Sequence, residues 1–356
     1  MTPLDDLPIR KDLRDEKPYG APQIDVPVQL NVNENTFGIP EPVALEIVKR
    51  LAAEVMRLNR YPEREFMGLR TQLAKYLGYS LSPEQLWAAN GSNEVLMQLF
   101  QAFGGPGVKA LSFSPTYSMY PNIARISLTE YVQIERESEF ELSAEYVAEA
   151  IRKVNPGIVL LCSPNNPTGT PISLDVIRAA YDSFDGILIV DEAYAEFSDS
   201  ESALSLLEGR DRLVVSRTMS KAFAFAGARV GYMAADTGVV DAVRIVRLPY
   251  HLSALTQAAA SAALDFAPLM LENVSRIKVQ RDRIIEALTS FGLKPYRSDS
   301  NFVLVGGFDD PTEIFDKLLA RGVLIRNVGI PGTLRITAGT EAETTKLLAE
   351  LALLLD

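Results

Sequence analysis

Lys221 stands in the middle of an apolar run, VVSRTMSKAFAFAGARVGY, residues 214–232. Most lysines are solvated surface groups, because burial strips the ammonium of its hydration. On that footing Lys221 is a surface residue at a helix start. Other segments carry groups that could share chemistry with it. Asp191 directly follows the apolar run ILIV. It reads either as a loop or N-cap carboxylate or as a strand-end anion kept ionised by a buried cation. Tyr194, three residues on, is either a packed aromatic with a satisfied hydroxyl or a phenol aimed at the same ligand. The turn-rich segment SPNNPTG offers the amide of Asn166 and, at Asn166–Pro167, a candidate cis peptide. GSNE at 91–94 opens a helix as a good N-terminus should. The free N–H groups and dipole of such a terminus also suit an anion, and Ser92 and Asn93 lie there. Thr218, Ser220 and Arg229 would complete a phosphate cup with two hydroxyls and a fixed cation.

The totals narrow the chemistry further. The chain has 356 residues, 47% of them apolar, so two domains, or one large and one small, are expected. With 35 basic and 46 acidic residues the net charge is −11, the wrong sign for a nucleic-acid coat. The longest apolar runs fall short of a membrane span, and the first twenty residues carry no apolar signal core. One Cys, Cys162, reads as core packing and fits a reducing cytoplasm. With one Cys and one His, His251, there is no Cys/His zinc motif and no two-His metal site, so no metal is expected. Catalysis would have to use Lys, Tyr, Asp, Arg and a borrowed cofactor.

These residues need elements to position them. Short apolar runs (WAAN, KALSF, GIVLLC, ILIV, LVVS) alternate with polar turns and helical segments, which argues for buried parallel strands in an α/β sheet. Ligands of such sheets bind beyond the carboxyl ends of the strands, where these polar motifs fall. Residues 41–60 read as an amphipathic helix ending at Tyr61–Pro62. Beyond residue 250 long helical segments should break at Pro268. Short strands and helices then follow, with a final helix from Glu341, as suits a small α+β domain. The expected division is an N-terminal arm over 1–40, a large cofactor-binding domain over 41–265 and a small domain over 266–356.

Taken together and in order, GSNE, SPTYSMY, SPNNPTG, DEAY and TMSK with an arginine eight residues later resemble the fold-type I pyridoxal-phosphate aminotransferases along essentially the whole chain. The resemblance implies a mostly parallel seven-stranded sheet flanked by helices, pyridoxal 5'-phosphate as cofactor and Lys221 as the Schiff-base lysine. It implies that Asp191 pairs with the pyridine nitrogen, that Asn166 and Tyr194 bond the phenolic oxygen, and that Tyr117 lies against the ring. Ser92, Asn93, Thr218, Ser220 and Arg229 would hold the phosphate. Tyr61, in NRYPE, would reach the phosphate of a neighbouring subunit, making a homodimer with shared sites.

The edges of the chain bear on the substrate. Arg335, in TLRITAG, matches the family's anion-clamping arginine, and Arg326, in VLIRN, adds a second cation one strand away. Two arginines flanking one pocket suit a doubly charged phosphate. KPYGAP and LNVNENTFG are similar to segments of the histidinol-phosphate aminotransferases, which implicates Tyr19, Asn33 and Glu34 in the substrate pocket. The resemblance thus implies amino transfer between histidinol phosphate and glutamate/2-oxoglutarate in histidine biosynthesis. The alternative is an aromatic amino-acid aminotransferase of the same branch.

Overall fold

The computed structural model describes residues 6–18, 20 and 22–355. Its strands are β1 (Val28–Gln29), β2 (Leu86–Ala89), β3 (Lys109–Ser114), β4 (Glu130–Glu135), β5 (Ile158–Cys162), β6 (Ile187–Asp191), β7 (Leu213–Thr218), β8 (Gly231–Ala235), β9 (Lys294–Pro295), β10 (Phe302–Gly306), β11 (Val323–Leu324) and β12 (Thr333–Thr337). Seven form one sheet in the order β2-β8-β7-β6-β5-β3-β4. Only β8 runs against the rest; the other six point the same way. Every residue of β2, β5, β6 and β8 is buried, as expected of strands covered on both faces. The polar turns after β2, β3, β5, β6 and β7 therefore emerge along one edge.

Register decides what meets at that edge. Asp191, at the end of β6, lies opposite Cys162 of β5 on one side and Ser216 of β7 on the other. Helix Ser92–Phe103 starts immediately beyond β2, with its first turn packed on β8. Two glycines permit that approach. A Cβ on Gly231 would run into the backbone of Gly91 and Ser92, and one on Gly91, whose φ is +88°, would strike the Arg229 guanidinium.

A second, antiparallel sheet has the order β12-β10-β9, and β1 pairs in parallel with β11. Thus residues near the N-terminus are tied to a strand more than 290 positions away. Past β1, Asn33 N–H donates to Thr337 Oγ1 of β12 (3.1 Å) and Asn33 O accepts from Asn301 (3.2 Å), carrying residues 31–35 over the carboxyl edge of the large sheet. Helices Ala254–Asp265 and Ala267–Ser290 meet at 75°, with Pro268 in the first turn of the second, as the sequence requires.

Two local readings needed correction. The first long helix spans Glu41–Val55 and stops short of Tyr61, because beyond Val55 there is no face left to bury: Met56 and Leu58 are both exposed. Strands β4 and β8 carry no run that stood out in the sequence; β4 is an edge strand with a half-exposed face, and β8 is a short segment dominated by Gly and Ala. From the close packing at Gly231, Gly231→Ala is expected to cost about 1–3 kcal/mol by overpacking. Thermal unfolding of the cofactor-free protein checks this, and an unchanged Tm would show that the helix start is not held against β8.

Candidate active site

A cavity of about 410 Å³ opens at the carboxyl edge of the large sheet. On its lining lie Lys221, Asp191, Asn166, Tyr194 and Tyr117, together with Ser92, Asn93, Thr218, Ser220 and Arg229. Asn33, Glu34, Arg326 and Arg335 line it too. Tyr61 does not: it is 80% exposed and stacks on Tyr250 at 4.5 Å, beside a separate hollow. Tyr19 lies outside the described residues.

Asp191 forms the floor. It is 2% exposed, and its carboxylate accepts from Tyr120 Oη (2.9 Å) and Ser216 Oγ (3.1 Å). Burial pushes its carboxyl up from the usual range, and these two hydrogen bonds and the Ala193 N–H partly restore the anion. Among the described residues no lysine or arginine pairs with it. A buried carboxylate with hydroxyl donors and no cation is a site built to receive one. Tyr120 and Ser216 were not picked out from the sequence; their relation to Asp191 follows from sheet register and from helix Tyr120–Ile126 packing over the strands.

Opposite in sign is the rim. The half-buried Lys221 donates from Nζ to the carbonyl of Val32 (3.2 Å). Its pKa is lowered to about 8, first by desolvation, then by the nearby Arg335 and Arg229 cations, while Glu34 acts the other way. The N-terminus of helix Ser92–Phe103, the Thr218 and Ser220 hydroxyls (2.9 Å apart) and Arg229 converge at one end. Arg229 reaches that end from a left-handed backbone with φ +55°, a conformation that costs a non-glycine residue about 1–2 kcal/mol. Such a corner, with helix N–H groups, hydroxyls and a guanidinium, suits a phosphate.

At the other end β12 brings in the second pair of cations. Arg335 donates to Asn166 Oδ1 (2.6 Å) and to the carbonyl of Asn31 (2.7 Å). Arg326 bonds the backbone of Arg335 in both directions (3.0 and 2.8 Å), so the two arginines sit directly across an antiparallel bridge. The Arg326 guanidinium has no protein partner among the described residues and faces the cavity. Between the two ends, Tyr117 donates to Asn93 Oδ1 (3.2 Å), Asn166 precedes a cis proline, and Tyr194 Oη accepts from Asn33 (3.0 Å). Four cationic side chains thus gather around one buried anion in a protein of net charge −11.

The family described as Aminotransferase class I and II matches residues 25–351. The chain belongs to the class I and II aminotransferases. Within that family it is 59% identical over 99% of its length to the histidinol-phosphate aminotransferase of Paenarthrobacter aurescens, covering 96% of that protein. It is 50% identical over 96% of its length to the one from Thermobifida fusca, covering 93%. Among solved structures it resembles a histidinol-phosphate aminotransferase from Sinorhizobium meliloti in complex with pyridoxal-5'-phosphate, at TM-score 0.84 and 26% identity, over 93% of this chain and 91% of that one. An aspartate aminotransferase from Thermotoga maritima resembles it nearly as well, at TM-score 0.81 and 25% identity over 93% and 92%. The aminotransferase scaffold is therefore shared among substrates, and discrimination has to reside in the pocket.

The rim cations make a checkable statement about Lys221. In the cofactor-free protein, pH-dependent labelling of Lys221 with an amine-reactive reagent should titrate near pH 8 rather than at the ordinary 10.5. Arg335→Gln should move the midpoint up and Glu34→Gln should move it down. A midpoint at the ordinary value, indifferent to both changes, would remove the electrostatic account of this amine.

Proposed function

We propose that this chain transfers the amino group between L-histidinol phosphate, with imidazole acetol phosphate as its ketone, and glutamate/2-oxoglutarate, using pyridoxal 5'-phosphate. One observation carries the chemistry: a lysine of lowered pKa shares a cavity with a buried carboxylate that pairs with no cation among the described residues. The family supports the reaction class, and the names of relatives matching over nearly the whole chain support the substrate.

The residues present fit this cofactor. Asp191 would hold a protonated ring nitrogen, Asn166 and Tyr194 the phenolic oxygen, and Tyr117 the ring face. The helix start at Ser92 and Asn93, with Thr218, Ser220 and Arg229, would take the phosphate. Bound there, pyridoxal 5'-phosphate supplies an aldehyde to take up the amino group and an electron-poor ring to accept the α-carbon electron pair. Lys221, whose amine faces the cavity, would be the residue that holds the cofactor through its aldehyde until a substrate amine takes its place. A pKa of about 8 leaves a useful fraction of Lys221 uncharged near neutrality, so its Nζ can take the proton from the substrate α-carbon. Arg326 and Arg335 orient the substrate through its phosphate, and through the α-carboxylate of glutamate in the second half of the cycle. Glu34, at the mouth, remains the candidate for the imidazole side.

The proposal includes a homodimer. Tyr61 and Tyr250 stack on each other while exposed, and Leu45, Val48, Met56 and Leu248 are exposed too, large apolar groups that a second copy would cover. Tyr61 would then complete the partner's phosphate corner. It also includes the division into an arm over 1–40, a cofactor domain over 41–265 and a small domain over 266–356, supported by the β1–β11 pairing, and a cytoplasmic setting, supported by a single, buried cysteine.

Comparing kcat/KM for histidinol phosphate with that for phenylalanine and tyrosine tests the substrate. The phosphate substrate should be strongly preferred, and Arg326→Gln should lower its kcat/KM about 100-fold while changing the aromatic values far less. Near-equal values for the three amines would defeat the histidine-pathway reading.

A further inference from the structure

Asn33 lines the cavity, yet its amide is already engaged on both sides. The hydrogen bonds around it form a directed chain that begins at a backbone donor, where the proton's position is not in question. Asn33 N–H points at Thr337 Oγ1 (3.1 Å). Since Thr337 Oγ1 receives that proton, its own hydroxyl hydrogen is free to go to Asn33 Oδ1 (2.9 Å). No other acceptor takes that hydrogen among the described residues, so a flipped amide, with Nδ2 toward Thr337, would leave it unpaired; the arrangement that satisfies both groups has Oδ1 as the acceptor. Nδ2 is left facing Tyr194 Oη at 3.0 Å, and an amide nitrogen can only donate. The Tyr194 hydroxyl hydrogen therefore cannot be spent on Asn33, and no other acceptor takes it among the described residues. It is left to the cavity that Tyr194 lines.

We infer that Asn33 is a positioning residue, which sets the direction of the Tyr194 hydroxyl so that this phenol acts as a hydrogen-bond donor to an anionic oxygen in the cavity. This rests on the proposed cofactor, whose phenolic oxygen is such a group, and it reassigns Asn33 from substrate contact to control of a cofactor contact. Several features support a dedicated arrangement. Asn33 is 1% exposed and holds φ at +56°, so its backbone is fixed in a conformation that few residues other than Asn and Gly adopt readily. Its carbonyl is held by Asn301 at 3.2 Å. The adjacent carbonyl of Val32 takes the Lys221 amine and that of Asn31 takes Arg335. Three consecutive residues before the first long helix thus bond three different cavity groups from one short irregular segment.

The test is equilibrium binding, followed by protein fluorescence, of pyridoxal 5'-phosphate and of its 3-deoxy analogue, which lacks the phenolic oxygen. Wild type should prefer the full cofactor. Asn33→Asp keeps the size but offers a carboxylate that accepts the Tyr194 hydrogen, so the preference should fall about tenfold or more, as with Tyr194→Phe. In the Tyr194→Phe background the same change should have little further effect. Thr337→Val, which releases the amide without adding charge, should lower the preference in the same direction, and again only when Tyr194 is present. It carries the test if Asn33→Asp does not fold. An unchanged preference in both variants overturns the inference. So does a loss of equal size with and without the Tyr194 hydroxyl, which would mean charge acting at a distance. Wild type that binds neither compound would overturn the cofactor reading itself, a separate outcome.

Discussion

A buried carboxylate without a counter-ion is the constraint around which this structure is arranged. Taking Asp191 out of water is costly, and Tyr120 and Ser216 offset only part of that cost with two hydrogen bonds. A lysine or arginine in contact would relieve it and would also close the site to any cationic ligand. Instead the cations stand apart from it: Lys221 and Arg229 on the segment after β7, Arg335 on β12, and Arg326 bridged to Arg335 from the segment after β11. The separation of charge along one cavity suits a ligand with a cationic group near Asp191 and anionic groups toward the arginines.

The sheet makes that separation rigid. Six parallel strands deliver their following turns to one edge, and the reversed β8 underlies the helix start proposed to hold a phosphate. The second sheet carries Arg335, and Arg326 is held to it by an isolated backbone bridge, so their spacing is set by backbone pairing and not by the flexible side chains alone. Residues 31–33 lie between these two bodies and bond to groups of both.

Much of this was legible in the sequence because the chemistry-bearing residues follow short apolar strands at regular intervals. Asp191 after ILIV, Asn166 after GIVLLC and Lys221 after LVVS each mark a strand end, and all three share the cavity. What escaped were relations across strands and contacts made by backbone. Ser216 meets Asp191 only because β6 and β7 pair in that register, and Tyr120 reaches it from a helix. The Val32 carbonyl that holds Lys221 has no side-chain signature. Asn33 lines the cavity, but its partners Thr337 and Tyr194 lie 304 and 161 positions away, so its engagement could not be read locally. The premature end of the first long helix is the reverse case, where polar periodicity continued after the buried face had run out.

The claim on which the rest depends is that Asp191 holds a cation supplied by the ligand. Nitrogen-15 NMR of the protein loaded with ring-labelled pyridoxal 5'-phosphate reads this directly. The ring nitrogen should carry a proton in wild type near neutral pH and lose it in Asp191→Asn, whose fold and cofactor phosphate site are otherwise kept. An unprotonated nitrogen in wild type, or one equally protonated in both proteins, would contradict the account.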